Sequence, residues 1–375
     1  LRIIAPDLWD GCEQNPELNE AYPEMTFLPI FATLLWATGF LLMPRLRSGM
    51  AARPEKMAAG LKDQVSVIIP ARNEAHNLPR LLESLAAQSL QPREVIVVDD
   101  GSTDDTAELA RRHGATVIIS QALPDGWRGK TWACHQGAEA ASGAMLCFVD
   151  ADTRFDQPDG LRHLLDTWQG GAHSACPWHA VERPWEHLSL FFNVNMVLGT
   201  APDGLFGQLL LIDRESYRKS GGHERVRDKV LENLRFAGHC REAGVPVRSA
   251  VGRGIISFRM YPGGLREMIE GWTKGFASGA GQTSGRVLGL IIGWFTGLML
   301  TSISLFASSF DWPWVVLYFM ATLQVGIFAR RVGDFRWWLA PLFPVALVFF
   351  FSLFARSAKR SGKPVTWKGR EIHAD

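Results

Sequence analysis

At 375 residues, with 47% hydrophobic side chains, the chain exceeds one average domain and carries enough apolar material for a large core. Its 39 Lys and Arg nearly balance 38 Asp and Glu, and a formal charge of +1 excludes a nucleic-acid partner held through a strongly basic surface. The five cysteines are odd in number and widely spaced, which excludes an evident disulfide framework or cysteine metal motif and fits a reducing compartment.

In chain order, residues 1–25 form an acidic N-terminal segment, with Asp7, Asp10, Glu13, Glu17, Glu20 and Glu24 against a single Arg2. Residues 26–43 carry no charge over 18 positions, close to the roughly 20 residues a bilayer crossing needs. A secretory signal has a basic start and a small-residue cleavage site. Here acids precede the apolar stretch and Arg45, Arg47 and Arg53 follow it. The pattern therefore predicts a transmembrane anchor whose C-terminal side is cytosolic. Residues 44–64 read as a basic, Ala-rich linker.

From residue 65 strands and helices alternate. Apolar runs predict strands over 65–70, 94–98, 115–120 and 144–150, and helical spacing predicts helices over 77–88, 104–112 and 130–141. That alternation predicts an α/β domain over 65–262, with a doubly wound, mostly parallel sheet covered on both faces. Between 160 and 262 the pattern is less regular, and one helix stands out, Lys229 to Glu242, stopped by Gly244. Over 263–284, Leu265, Met268, Ile269, Trp272 and Phe276 fall at helical spacing, as in an interfacial amphipathic helix. Residues 285–356 hold about three further membrane segments (287–308, 313–329 and 337–355), and 357–375 form a basic tail. Four full crossings from an outside start would leave Lys359, Arg360, Lys363, Lys368 and Arg370 outside, against the positive-inside tendency. A re-entrant segment broken by Pro341 and Pro344 would restore a cytosolic tail.

Three predicted strand ends carry polar signatures, at the carboxyl edge where open α/β sheets bind ligands. The strongest is Leu146-Cys-Phe-Val-Asp-Ala-Asp-Thr153, an apolar run that stops at Asp150 and Asp152. Two hard oxygen donors there suit Mg²⁺ or Mn²⁺ bridging a diphosphate, although Asp-x-Asp is also common in turns. The others are Pro70-Ala-Arg-Asn-Glu74 and Asp99-Asp100-Gly-Ser-Thr-Asp104. A turn and a helix capped by Ser102 or Thr103 explain part of the latter, but not two acids directly after a buried strand. No Gly-x-Gly-x-x-Gly and no Walker lysine motif stands at these turns, which disfavours a dinucleotide or P-loop site.

Taken together, Pro-Ala-Arg-Asn-Glu, Val-Val-Asp-Asp-Gly-Ser-Thr-Asp and Val-Asp-Ala-Asp resemble the family-2 inverting glycosyltransferases of GT-A fold, over roughly residues 65–275. Gly126-Trp-Arg-Gly-Lys-Thr-Trp132, Arg214-x-x-Tyr217 followed by Gly221-Gly222-His223, and the Trp-x-Gly-Arg tail at 367–370 are similar to a membrane-bound branch associated with hopanoid and carotenoid lipids. The resemblance implies a GT-A sheet with a Rossmann-like nucleotide-binding half, flanked by N- and C-terminal transmembrane helices. It also implies a nucleotide-sugar donor, a UDP-sugar first, and a lipid acceptor of isoprenoid, hopanoid or carotenoid type. Pro70 and Glu74 would line the nucleotide pocket, Asp99 would contact the base, and Asp100 would position the base or ribose. Lys130 would lie near the base or diphosphate, Asp150 would face the sugar or ribose beside the metal, and Asp152 would ligate Mg²⁺ or Mn²⁺.

One departure bears on the chemistry. Relatives carry a Glu-Asp pair roughly 12 residues before the glycine that ends the helix, the Asp being the general base. Counting back from Gly244 lands on Glu232-Asn233, and an amide is no base. Either Glu232 or Asp228, at i and i+4 on one helix face, replaces it, or the acceptor arrives already ionised, as a carboxylate or phosphate. The Gln-x-x-Arg-Trp motif of processive synthases is reduced to Trp272 and Gly275, so long-polymer synthesis is disfavoured. Trp272 and Lys274 would then flank the acceptor and diphosphate, although interfacial anchoring explains them equally. The resulting expectation is a membrane enzyme, bacterial inner membrane with a cytoplasmic catalytic domain, moving one sugar to a lipid. A polyprenyl-phosphate sugar synthase, a catalytically inactive nucleotide-sugar-binding protein and a nucleotide-sensing transporter are the alternatives, the last disfavoured by the scarcity of charge within the apolar segments.

Overall fold

The computed structural model describes the backbone of residues 16–47, 64–229, 232–280, 283–360, 364–367 and 370–373, and the side chains of 27–47, 64–229, 232–273 and 283–357. A long helix, α1 (Pro16–Leu42), comes first. Then β1 (Val65–Ala71), α2 (Leu78–Ala86), β2 (Glu94–Asp99), α3 (Thr106–Arg112), β3 (Thr116–Ile119), α4 (Gly129–Ala140) and β4 (Met145–Val149) alternate. They are followed by β5 (Thr153–Phe155), α5 (Gly160–Thr167), β6 (Ala172–Cys176), β7 (Trp178–His179), α6 (Leu190–Thr200) and β8 (Leu209–Asp213). Next come α7 (Arg214–Lys219), α8 (Glu232–Glu242), β9 (Val247–Val251) and β10 (Ile256–Phe258). The chain closes with α9 (Leu265–Ala280), α10 (Gly285–Ala307), α11 (Trp312–Val332), α12 (Phe343–Arg360) and a hairpin of β11 (Pro364–Trp367) and β12 (Arg370–His373).

The main sheet runs β3-β2-β1-β4-β8-β6-β9. Its first four strands are parallel, β8 is antiparallel to both neighbours, and β6 pairs parallel with β9. It is a mostly parallel sheet with one reversed strand. Continuous apolar runs make its central strands, because helices cover both faces. Val65, Val67 and Ile69 of β1 meet Leu78, Leu81, Leu82 and Leu85 of α2, while Ile68 faces Ala133, Cys134 and Ala138 of α4. On that second face α4 approaches so closely that a Cβ on Gly137 would stand 2.4 Å from the Ile68 methyl. Pro70 is tolerated inside β1 because the β4 ladder ends at Ile68–Phe148, so only β2 pairs beside it. A smaller sheet, β5-β10-β7, sits beyond the carboxyl edge.

All four predicted strands and the three early helices form with ends shifted by a residue or two. β6, β8 and β9 lie in the stretch that reads as irregular. The helix expected from Lys229 begins, as described, at Glu232, with Gly244 in left-handed conformation beyond its end. The four described cysteines are buried and unpaired; Cys12 lies outside the described residues.

Among the described residues, four helical stretches of 20 to 23 residues are long and apolar enough to cross a membrane: 27–46, 285–307, 312–332 and 337–357. Helix α1 runs antiparallel to α10, since Thr38 bonds the Leu290 carbonyl at 3.0 Å while a Cβ on Gly297 would meet the Trp36 backbone. Helix α11 returns to the sheet domain, where Arg331 donates to the Met43 carbonyl and Trp178 Nε1 donates to Asp334 at 2.8 Å. From Asp334 the chain does not continue as one unbroken helix. It descends through a 3-10 turn at 337–342 until Tyr318 donates to the Pro341 carbonyl. Then α12 climbs back, packing Phe350 on Phe192 with ring centroids 4.8 Å apart and bonding Ser357 to the Thr273 carbonyl. Both ends of this hairpin therefore lie on the side of the sheet domain. The break falls at Pro341, inside the 3-10 turn, and Pro344 stands in the first turn of α12, where proline is tolerated.

Where α1, α10 and α11 meet, a Cβ on Gly39 would stand 2.7–2.9 Å from Trp294 and Gln324, which hydrogen-bond each other at 2.8 Å. Gly39→Val should push α1 off this contact and lower stability by about 1–3 kcal/mol. A thermal melt of detergent-solubilised protein checks it, and an unchanged transition would show that the helices do not depend on that approach.

Candidate active site

The carboxyl ends of β1, β2 and β4 converge as expected. The loop after β1 turns at Asn73, whose positive φ of 53° an Asn tolerates better than most side chains. Two loops are laced together there. The Asn73 backbone donates to Ser102 Oγ at 3.0 Å, Asn73 Oδ1 accepts from the Thr103 amide at 2.8 Å, and the Glu74 amide donates to Thr106 Oγ1 at 2.8 Å. Ser102 and Thr103 thus brace the first loop rather than cap α3, whose first turn bonds Asp104 instead. That network holds the Asp104 carboxyl below its usual range, with Thr106 the main cause opposing burial.

Asp99, at the end of β2, is buried and accepts from the Ser102 amide at 3.0 Å. Asp100 is buried with its carboxylate 3.9 Å from Arg72, whose guanidinium also donates to the Asp100 carbonyl. Glu74 accepts from Asn77 at 2.9 Å, and Pro70 is half-buried one residue before the loop. Arg72 is a member of this group that the sequence did not single out.

At β4, the Asp150 backbone amide donates to the Gln208 carbonyl at 3.0 Å, and its carbonyl accepts from Thr153 Oγ1 at 2.8 Å. This turn leaves Ala151 and Thr153 buried and Asp152 exposed at the rim. The turn before β8 brings Gly207 beside Asp150. Helix α4 presents Lys130 from its first turn, which is pinned by Thr131 Oγ1 donating to the Arg227 carbonyl at 2.8 Å. The Lys130 ammonium lies 2.8 and 2.9 Å from the two Asp150 oxygens, 3.2 Å from Glu232 Oε1 and 3.3 Å from the Gly207 carbonyl. Burial works against that charge, but Asp150 and then Glu232 outweigh it and hold the amine well above the usual lysine range. Gly207 sits close against the group, since a Cβ there would stand 3.2 Å from Asn233, 3.4 Å from Lys130 and 3.6 Å from Glu232. Nothing in the sequence pattern around Gly207 signals this, because its partners come from three other elements.

Asn233 lies beside Glu232, donating from Nδ2 to Glu232 Oε1 at 3.0 Å, and both are 94% buried. Asp228 is not brought to this group. It lies in the turn before α8, more than half exposed and paired with Lys229 at 2.7 Å, so it shares no helix face with Glu232 as expected from i, i+4 spacing. Lys229 keeps its pKa below the usual aspartate range, which makes it a poor proton acceptor. His223 is buried behind the site on Phe148, and burial together with Lys130 pushes it down to about 3, so it is neutral. Arg214, Tyr217 and Gly222 are scaffold. Arg214 donates to the Gly143 carbonyl at 3.0 Å, and Tyr217 bonds His223 at 2.9 Å across a Gly222 that has no room for a Cβ.

On the far side of Asp152 stands Tyr261, another residue the sequence did not mark. Burial, Asp152 and Glu267 in that order push its phenol well above the usual range, and its φ of 57° is strained for an aromatic. Its ring rests against Gly271 and edge-on to Trp272, 5.8 Å between centroids. Trp272 is buried, stacked on Phe192 at 4.6 Å, and its indole nitrogen has no hydrogen-bond partner among the described residues. The apolar face of α9 therefore packs on α6 and α12. The Lys274 side chain, and the tail at 368–369, lie outside the described residues.

A mostly parallel sheet with a reversed strand, acids at three adjoining strand ends and an Asp-x-Asp at the fourth strand defines a glycosyltransferase of GT-A type. A solved mannosyltransferase from Pyrobaculum calidifontis, in complex with GDP-Man and Mn²⁺, shares this fold at a TM-score of 0.53 and 18% identity, over 88% of this chain and 99% of that one. The model of glycosyl transferase family 2 matches residues 66–187. The 4,4'-diaponeurosporenoate glycosyltransferase of Staphylococcus aureus (strain USA300) is 34% identical over 329 residues, 82% of this chain and 88% of that protein. The chain belongs to glycosyltransferase family 2, and its activity is glycosyl transfer.

Proposed function

We propose that the protein is an integral-membrane inverting glycosyltransferase that moves one sugar from a nucleotide-sugar donor, a UDP-sugar first, to an ionised group on an isoprenoid lipid. The observation that carries this reading is continuity. The charge of Asp152 at the rim is felt by the Tyr261 phenol, Tyr261 packs edge-on to Trp272, and Trp272 stacks on Phe192 inside the apolar helix cluster. A sugar site that opens against such a cluster suits an acceptor with an apolar body and a polar end. The helices support membrane residence, because their outer faces expose Phe27, Leu34, Ile292, Phe306, Phe319 and Val348 at more than half of each side chain.

Charge supports the orientation. Arg45, Arg47, Arg286, Arg330, Arg331 and Arg356 gather at the helix ends beside the sheet domain, whereas Asp311 stands at the opposite end, between α10 and α11. This bias supports a cytosolic sheet domain and tail, on one side of three crossings and a re-entrant hairpin. The layout is an N-terminal segment (1–25), an anchor (26–43), a linker (44–64), the catalytic domain (65–262), the α9 region (263–284), the membrane segments (285–356) and the tail (357–375).

Pro70, Glu74, Asp99 and Asp100 would hold the nucleotide, with Lys130 turned toward the diphosphate. The carboxylates of Asp150 and Asp152 fit a hard divalent cation, and the S. aureus relative's name specifies a carboxylate acceptor. Among the described residues no group of three or more His, Cys, Asp or Glu gathers around one point, so Mg²⁺ or Mn²⁺ would complete its shell with diphosphate oxygens and water. Such an ion supplies neutralisation of the leaving diphosphate. Trp272 would border the acceptor. The acceptor oxygen attacks the anomeric carbon, the bond to the diphosphate breaks, and configuration inverts.

Sealed membrane vesicles test the whole reading. Inverted vesicles given candidate nucleotide sugars should yield a glycosylated lipid by mass spectrometry, right-side-out vesicles should not, and the protein should stay with the membrane after carbonate washing. Recovery of a soluble protein without detergent, or equal product from both orientations, would overturn the placement.

A further inference from the structure

The proposal above brings a divalent ion to Asp150, yet both Asp150 oxygens already hold the Lys130 ammonium, at 2.8 and 2.9 Å. An ammonium seated across both oxygens of a carboxylate covers the side from which a metal would chelate it. The ammonium is also fixed from behind, by Glu232 Oε1 at 3.2 Å and the Gly207 carbonyl at 3.3 Å. Its three protons thus have protein partners, and the amine stays charged. Two cations competing for one carboxylate exclude each other unless one acquires a new partner. A donor diphosphate is such a partner, because its oxygens attract an ammonium as strongly as carboxylates do.

We propose that Lys130 is the resident counter-cation of the donor-free enzyme: it holds Asp150 and Glu232 together and keeps the divalent ion out until the diphosphate draws its ammonium away. Metal and donor then enter together rather than metal first. Lys130 acts here as a positioning residue, and the inference rests on reading Asp150 and Asp152 as the metal side. A lysine serving only as a structural ion pair would set stability alone and leave metal affinity unchanged. The Gly207 carbonyl gives the ammonium a further fixed point beside the two carboxylates.

The test is Mn²⁺ binding to full-length protein in detergent, followed by the loss of the free-ion electron paramagnetic resonance signal, with and without UDP. Wild type should bind Mn²⁺ weakly alone and at least about tenfold more tightly with UDP. Lys130→Gln should bind Mn²⁺ without nucleotide at least about tenfold more tightly than wild type, since one charge is removed beside Asp150. Lys130→Arg should keep the weak nucleotide-free binding. A Lys130→Gln protein no tighter than wild type without nucleotide, while UDP still tightens wild type, overturns the counter-cation and leaves the metal reading standing. If UDP and GDP both fail to bring Mn²⁺ to wild type, the metal reading and the inference fall together. Should Lys130→Gln not fold, wild type still decides, because equal Mn²⁺ affinity with and without UDP overturns the proposal.

Discussion

Asp152→Asn should lower kcat/KM for transfer by about 10³-fold, and excess chelator should abolish turnover of the parent enzyme until Mn²⁺ or Mg²⁺ is restored. Charge neutralisation of a leaving diphosphate contributes several kcal/mol to a transition state, and each ~1.4 kcal/mol is tenfold in rate. Asp152 suits the experiment because the fold does not use its burial. Ala151 and Thr153 on either side are buried at 3% and 2% exposure, while Asp152 stands at the rim. The substitution should therefore leave the melting transition in place, and a loss of turnover with an intact melt locates the effect in the chemistry. Asp150→Asn is less clean, since it also removes the carboxylate that Lys130 holds at 2.8 Å. Full activity in excess chelator, with no metal bound to the protein, would take the divalent ion out of the reaction.

The elements legible in the sequence are those whose partners are near in the chain. Strands β1, β2 and β4 are read from apolar runs because both their faces are covered, and the acids that follow them mark the ligand edge. The strands β6, β8 and β9 pair across separations of tens of residues; Ala172–Cys176 mixes His and Ser with small side chains, Val247–Val251 carries Arg and Ser, and the apolar run Leu209–Asp213 is short and set among loops. Their burial comes from tertiary position, which periodicity does not carry. Asp228 shows the reverse error. Spacing of four places two carboxylates on one face only if a helix spans both, and α8 begins at Glu232. Gly207, Arg72 and Tyr261 escaped notice for a shared reason. Each matters through neighbours contributed by distant elements, Gly207 through Lys130, Glu232 and Asn233, and Tyr261 through Asp152 and Trp272. The break before α12 was legible because Pro341 and Pro344 stand beside it.

Given a matched pair of polyprenoid acid and polyprenoid alcohol, the enzyme should glycosylate the acid at least about 10²-fold faster at neutral pH. A positioned base contributes about 10²–10⁴-fold to transfer onto a hydroxyl, and the site has no evident one. Asn233 stands where a base is expected. Its amide donates to Glu232 Oε1 at 3.0 Å, the same oxygen that Lys130 holds at 3.2 Å. In the donor-free enzyme Glu232 is committed to two donors, and once the diphosphate draws the ammonium away the Asn233 amide still donates to the same carboxylate oxygen. Asp228 is turned to Lys229, which lowers its basicity. A carboxylic acid, with a reference pKa of roughly 4, is already an anion and needs no proton removed. Asp228→Asn should change turnover less than about twofold, and Glu232→Gln about tenfold, the latter through the Lys130 contact, with UDP still bound. Lipid products resolved by mass spectrometry provide the readout. A loss of about 10³-fold or more in Glu232→Gln with donor binding intact, or equal rates on acid and alcohol, would mean that a side chain does take the acceptor proton. The pH profile separates the cases further: an ionised acceptor gives a rate that falls only as pH drops through the acceptor's own carboxyl pKa, so exchanging the acceptor for a lipid phosphate should move that limb without any change in the protein.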